Sequence, residues 1–260
     1  MTVYSNLFDL CGKVALITGA TRGIGKAIAE AMAQFGAKVV ISSRKAEVCD
    51  DVAATIRAGG GEALAVPCNV SHEDQLEGLV SRVLDQWKKI DVLVCNAAVN
   101  PHFGPMVEAS AEVYDKIMDT NVKHVLGLCN RVAPQMASRR DGSIMIISSI
   151  GGFKGHRRMG LYALSKAAEM QLARNLAVEW GGENVRVNCI APGLVRTDFA
   201  RVLWEDPDIL RRTLRGYPLG RIGEPDDIAG AAVFLASRAG AFVSGQVLVV
   251  DGGATIAMGS

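Results

Sequence analysis

Tyr162 and Lys166 stand four residues apart in LYALSKAAEMQLARNLAVEW, and Ser149 precedes the tyrosine by thirteen positions, at the end of the apolar run SIMIISS. On a helix, positions i and i+4 share a face, so an ammonium can lie beside a phenol. A free tyrosine titrates near ~10 and is a poor acid or base at neutral pH. An adjacent cation favours the phenolate and draws the pKa toward working range, at about 1.4 kcal/mol per unit. Tyr-x-x-x-Lys is also ordinary surface spacing, and it gains meaning only beside a second motif.

That second motif is Thr18-Gly19-Ala20-Thr21-Arg22-Gly23-Ile24-Gly25. It follows the β-branched run KVALIT and opens KAIAEAMAQFG, whose apolar residues recur at helical spacing. Strand, glycine turn and helix come in that order. Gly19, Gly23 and Gly25 let the backbone turn tightly and approach a pyrophosphate, while the helix N-terminus offers unpaired N–H groups and a positive dipole end. The expected ligand is an anionic dinucleotide.

The elements that must position these residues alternate along the chain. KVALIT, KVVISS, ALAVP, DVLVCN, SIMIIS, VRVNCIA and QVLVVDG read as seven strands. Stretches such as HEDQLEGLVSRVLDQWKK, with helical periodicity, separate them. The pattern predicts one α/β domain over 1–260, a doubly wound parallel sheet with helices on both faces. Ligands of such sheets bind beyond the carboxyl ends of the strands, where Gly19, Asn96, Ser149 and Pro192 all fall.

Together these features resemble the short-chain dehydrogenase/reductase family, along the whole chain. Asn96-Ala97-Ala98 matches the family's turn after the fourth strand, Asn121 its helix asparagine, Pro192-Gly193 the turn after the sixth strand, and Asp251-Gly252-Gly253 its C-terminal signature. The turn ends in Ala98 where the family usually has glycine, and Asn69-Val70 stands where an aspartate commonly contacts adenine. The resemblance implies a Rossmann-type fold and a nicotinamide dinucleotide held by Gly19, Thr21, Arg22, Gly23, Ile24, Gly25, Ser43, Arg44, Asn69, Val70, Asn96, Ala97, Ala98, Pro192, Gly193, Val195 and Thr197. It also implies roles. Tyr162 is the general acid/base, Ser149 hydrogen-bonds the substrate oxygen, Lys166 holds the nicotinamide ribose and keeps Tyr162 acidic, and Asn121 orders a water that relays protons from Lys166.

The cofactor's identity is read at the end of the second strand. An NAD enzyme generally carries an acidic residue there for the ribose 2′-hydroxyl, whereas a 2′-phosphate needs a cation. Here the chain reads VVISSRK, with Ser43 in the acidic position and Arg44 after it, and Arg22 resembles a second basic position. The expectation is NADP(H) in preference to NAD(H), against the alternative that Arg44 is only the first solvated residue of the next helix.

A net charge of +1 and the absence of a basic block argue against nucleic acid as a partner. No apolar stretch reaches the ~18–20 residues that span a bilayer. The six cysteines (Cys11, Cys49, Cys68, Cys95, Cys129 and Cys189) show no C-x-x-C and no histidine cluster, so no metal site is expected and the location is read as cytoplasmic. The four histidines lack partners at any recognisable spacing, with His102 and His156 kept as pocket candidates. The loop from Thr197 to Pro218 carries Phe199, Leu203, Trp204 and Leu214, which either line an apolar substrate pocket with Phe103, Phe153 and Leu161 or pack an interface. Relatives pair through the helices near 110–138 and 161–181, so a homotetramer is expected. Three activities fit: interconversion of a ketone and a secondary alcohol, reduction of a 3-oxoacyl thioester, and cofactor-binding regulation without catalysis.

Overall fold

Short runs rich in Val, Ile and Leu, with apolar side chains on both faces, suit strands buried on both sides. In the computed structural model, which describes residues 6–257, these runs form β1 (Val14–Thr18), β2 (Lys38–Ser42), β3 (Glu62–Ala65), β4 (Val92–Cys95), β5 (Gly142–Ile147), β6 (Val185–Pro192) and β7 (Val247–Val250). They hydrogen-bond in the order 3-2-1-4-5-6-7, every pairing parallel. Each strand expected from the sequence is present. The chain's polar start, residues 1–5, and residues 258–260 lie outside the described residues.

The helices between them are α1 (Gly23–Gln34), α2 (Ala46–Ala58), α3 (Glu73–Trp87), α4 (Ala111–Met118), α5 (His124–Arg139), α6 (Gly160–Trp180), α7 (Pro207–Leu214) and α8 (Pro225–Ala236). Because successive strand residues point to opposite faces, β1 splits its side chains between two cores. Ala15 and Ile17 pack with α1, α2 and α8, whereas Val14 and Leu16 pack with α3, α5 and α6. Leu16 and Ile17 are fully buried, each burial worth about 1.5–3 kcal/mol. Strand order reverses between β1 and β4, and the crevice opens there at the carboxyl ends. Among the described residues no helix is long and apolar enough to cross a membrane.

Between α4 and α5 the helix widens into a π-helical turn over Asp119–Lys123, with Thr120 and Asn121 buried. Helical periodicity gives no hint of this extra residue. Such turns re-aim side chains, here at the crevice.

At the opposite end of the sheet a buried carboxylate joins β1 to β4. Asp91, 2% exposed at its side chain, accepts from Val14 N–H at 2.8 Å and pairs with Lys89 at 2.9 Å and Arg139 at 3.4 Å. Asp91→Ala strands one backbone donor and leaves two cations without their shared partner. It should destabilise the fold by about 2–4 kcal/mol in urea unfolding; a loss below about 0.5 kcal/mol would show the carboxylate to be dispensable.

Candidate active site

β1 delivers the chain into the glycine turn at Thr18. Gly19 and Gly23 adopt φ of +65° and +52°, the left-handed region that a side chain would strain. At Gly25 a Cβ would lie 2.3 Å from the Gly19 oxygen and 2.5 Å from Asn96 Nδ2, so the close approach of helix to turn requires glycine. Asn96 locks the arrangement by donating through Nδ2 to the carbonyls of Thr18 and Gly19 at 3.0 and 3.1 Å. The Thr18 hydroxyl accepts in turn from Asn96 N–H and Ala97 N–H at 3.1 and 3.2 Å. Ala98 is only partly buried.

Arg22 at the start of α1 is extended and caps nothing, and the first turn holds no acidic residue. The open N–H groups and positive dipole end there fit a pyrophosphate. Beside Ile24 and the turn, Thr21 donates its hydroxyl to Ser43 Oγ at 3.1 Å. Arg44 and Lys45 are exposed and have no ion-pair partner among the described residues. Arg22 instead meets Asp198 at 3.8 Å. Asn69 spends its amide oxygen on Ser71 N–H at 3.2 Å, and Val70 packs on the core under α3 and α5.

The proton-transfer candidates meet at the ends of β5 and α6. Ser149 lies close enough to Tyr162 to draw the phenol's pKa down slightly, and it accepts from Gly151 N–H at 3.0 Å. Lys166, 1% exposed, lies with Nζ 5.5 Å from the Tyr162 ring centroid. Its three donors are all occupied, by the Ile147 carbonyl at 3.0 Å and by both oxygens of Glu169 at 2.7 and 3.1 Å. The expected drop in the phenol's pKa is corrected here. Burial raises Tyr162 above its ordinary value, and the downward pull of Lys166 does not overcome it; Glu169 pushes it further up. Burial alone would lower Lys166, but the adjacent Glu169 carboxylate reverses the effect and leaves it raised.

Asn121 is fully buried and grips the loop after β4. Its Oδ1 accepts from Val99 N–H at 2.9 Å, and its Nδ2 donates to the Val99 carbonyl and to Ser165 Oγ, each at 3.0 Å. Ser165 passes the contact on by donating to the Tyr162 carbonyl at 2.8 Å. The asparagine side chain thus fixes backbone on both sides of the crevice.

β6 ends at Pro192, and Gly193 N–H donates to Val250 across the sheet at 3.0 Å. Val195 bridges to Gly223, and Thr197 then arches over the glycine turn, its methyl 3.0 Å from where a Gly23 Cβ would sit. The following segment is a 3-10 turn over Asp198–Leu203 and α7, which Asp206 caps. Phe199 brings its ring within 5.9 Å of the Tyr162 ring. Trp204 turns back on its own loop, donating to the Thr197 carbonyl at 3.0 Å under the Arg196 guanidinium. Arg158 lies 4.4 Å over the Phe103 ring, so it packs and is not simply solvated.

Three groups have roles in this geometry that the sequence motifs do not announce. Thr18 enters only as the first residue of the glycine motif. Glu169 lies three residues after Lys166 and seven after Tyr162, so helical spacing alone could have flagged it. His124, one of the four histidines without a partner at recognisable spacing, is packed inside at 2% exposure, and both of its ring nitrogens lack a hydrogen-bond partner.

Residues 19–255 match the family model described as "Enoyl-(Acyl carrier protein) reductase". The chain is 44% identical over 244 residues to bovine dehydrogenase/reductase SDR family member 4, covering 94% of this chain and 88% of that protein. The human protein of the same name is 42% identical over 247 residues, with the same coverage. The chain belongs to the short-chain dehydrogenase/reductase family. It is an oxidoreductase of that family, and solved structures agree. A 7α-hydroxysteroid dehydrogenase complexed with NADH and 7-oxo-glycochenodeoxycholic acid superposes with a TM-score of 0.93 at 38% identity over 98% of both chains. A gluconate 5-dehydrogenase from Burkholderia cenocepacia in complex with NADP and tartrate gives 0.93 at 32% identity, over 97% of this chain and 99% of that one.

His124 yields a stability prediction. Burial holds its pKa down to about 4 against 6.5 for the free side chain. The unfolded chain therefore binds a proton that the folded chain refuses, so His124 contributes stability above pH 6.5 that is lost as pH falls toward 4. The loss accumulates to about 3 kcal/mol. Replacing His124 with Leu should flatten the unfolding free energy over this window in urea titrations; an unchanged slope would show that the imidazole is protonated in the fold.

Proposed function

We propose that this reductase interconverts a ketone and a secondary alcohol using NADP(H) in preference to NAD(H). The observation that carries the reading is the segment that joins the two halves of the crevice: Thr197 lies against Gly23 in the glycine turn, and Phe199, two residues on, lies against Tyr162, which has Lys166 5.5 Å from its ring. Nicotinamide dinucleotide fits the glycine cradle, and similar proteins were solved with NADH and with NADP. When bound, the nicotinamide supplies or accepts the hydride.

The chain's own residues handle the proton and the oxygen. Ser149 donates to the carbonyl oxygen and stabilises its growing negative charge. Tyr162 gives its hydroxyl proton to that oxygen, and in the reverse direction its phenolate takes the proton back. Lys166, released from one of its three oxygen partners, holds the ribose hydroxyls. Asn121 keeps the proton path beside Lys166 in register through Val99 and Ser165.

Preference for the 2′-phosphate rests on Ser43, which carries no charge to repel it, and on Arg44 and Lys45, whose cations are free to grip it. Charge-assisted bonds of this kind are worth roughly 1.5–3 kcal/mol each. Phe199 supplies an apolar wall next to Tyr162, which suits a substrate with hydrocarbon flanking its carbonyl. Leu126 and Leu164 are about half exposed and Val178 is 86% exposed on α5 and α6, which supports a homotetramer paired through these helices. Free cysteines, five of six buried, support a cytoplasmic location.

The test is nicotinamide absorbance with either cofactor across ketones, diketones, secondary alcohols and an acetoacetyl thioester. Turnover confined to the thioester would move the reading to 3-oxoacyl reduction, and no turnover on any substrate would leave a cofactor-binding regulator. Tyr162→Phe should lose 10²–10⁴-fold in kcat while still binding cofactor, and retention of more than about a tenth of the rate would refute the role of the phenol. Combining Ser43→Asp with Arg44→Ala should erase or reverse the NADPH preference, mainly through KM. An unmodified enzyme with a higher kcat/KM for NADH would overturn the cofactor assignment.

A further inference from the structure

Glu169 is a buried carboxylate that the proposed proton transfer does not require. Its side chain is 2% exposed and chelates Lys166 Nζ with both oxygens, at 2.7 and 3.1 Å. The groups facing the pair come from every surrounding element. Tyr162 lies on the same helix, Ser148 at the end of β5, Cys95 on β4 and Cys189 on β6, whose thiol approaches the Glu169 carbonyl at 3.6 Å. On α5, the Cys129 thiol faces Cys95 and His124 feels the charge of Lys166, while Arg174 on α6 acts on Cys189.

The neighbouring Cys129 thiol and then burial push the Cys95 thiol well up, and burial pushes Cys189 up and His124 down to about 4, so these neighbours are neutral at neutral pH. Lys166 and Glu169 therefore form an electrically isolated pair beside the phenol. A lone ammonium at this place would favour the phenolate; an ammonium chelated by a carboxylate presents almost no net charge.

We propose that Glu169 is a positioning residue that binds and neutralises Lys166, and so keeps Tyr162 in its protonated, proton-donating form. The proposal rests on the catalytic reading of Tyr162 and adds a direction to it. An enzyme whose phenol stays protonated is poised to reduce a carbonyl, and oxidation of the alcohol is held back until the phenol ionises. Burial pushes Glu169 itself up to about 7, so its charge, and with it the restraint on Lys166, is switchable near neutrality.

The direct measurement is the ultraviolet titration of tyrosinate in the cofactor-free protein, taken as the difference between each protein and its Tyr162→Phe counterpart. Glu169→Gln leaves Lys166 unopposed, and Tyr162 should then ionise about one unit lower. The pH profile for alcohol oxidation should move down by the same amount, with circular dichroism confirming the fold. In the unmodified protein carrying ¹³C-labelled tyrosine, the Tyr162 resonance should show an extra inflection as Glu169 titrates, a readout that needs no variant to fold. A folded Glu169→Gln protein with an unchanged or raised Tyr162 titration overturns the proposal, as does a Tyr162 resonance without that inflection. If the titration moves as stated while no ketone is reduced, the catalytic reading and the direction drawn from it fail, and the neutralisation of Lys166 by Glu169 stands.

Discussion

A lysine ammonium sealed in a protein interior is the constraint around which this site is built. Removing such a charge from water costs several kcal/mol unless its donors are met and its charge is balanced. Lys166 meets both conditions, with the Ile147 carbonyl at the end of β5 and Glu169 one turn along α6. The first contact ties α6 to the sheet. The second sets the electrostatics of the phenol four residues back.

The remainder of the crevice is held by polar side chains that imitate backbone. Asn96 and Thr18 clamp the glycine turn to the turn after β4, and Asn121 binds both backbone groups of Val99 while reaching Ser165. Loops at the carboxyl ends of parallel strands have no ladder to satisfy their N–H and C=O groups, and buried amides fill that need. The same rigidity serves binding. The uncapped start of α1 stays open to an anion because its neighbours are satisfied elsewhere.

The fold was almost wholly legible in the chain. Seven apolar runs separated by helical periods became seven parallel strands, since side chains buried on both faces leave little freedom in assigning such runs. The candidate site was legible where types and spacing are local: Tyr162 with Lys166 on one helix, the glycines in one turn, and Ser43 with Arg44 at one strand end. Family resemblance placed Asn121 and Thr197 beside them. Their contacts were not legible, because Val99 and Gly23 lie far from them along the chain.

What the sequence determined by itself was therefore topology and the inventory of reactive groups, both of which follow from periodicity and from neighbours within a helical turn. Charge states were decided by tertiary structure alone. Spacing announces that Lys166 can lie beside Tyr162, but whether the phenol is made more or less acidic depends on desolvation and on every charge in reach. The two charges, Lys166 and Glu169, share α6 with Tyr162, but the burial that outweighs the ammonium's pull arises only once α6 packs on the sheet. The same holds for His124, at the start of α5 directly after the π-helical turn, whose burial keeps the imidazole neutral.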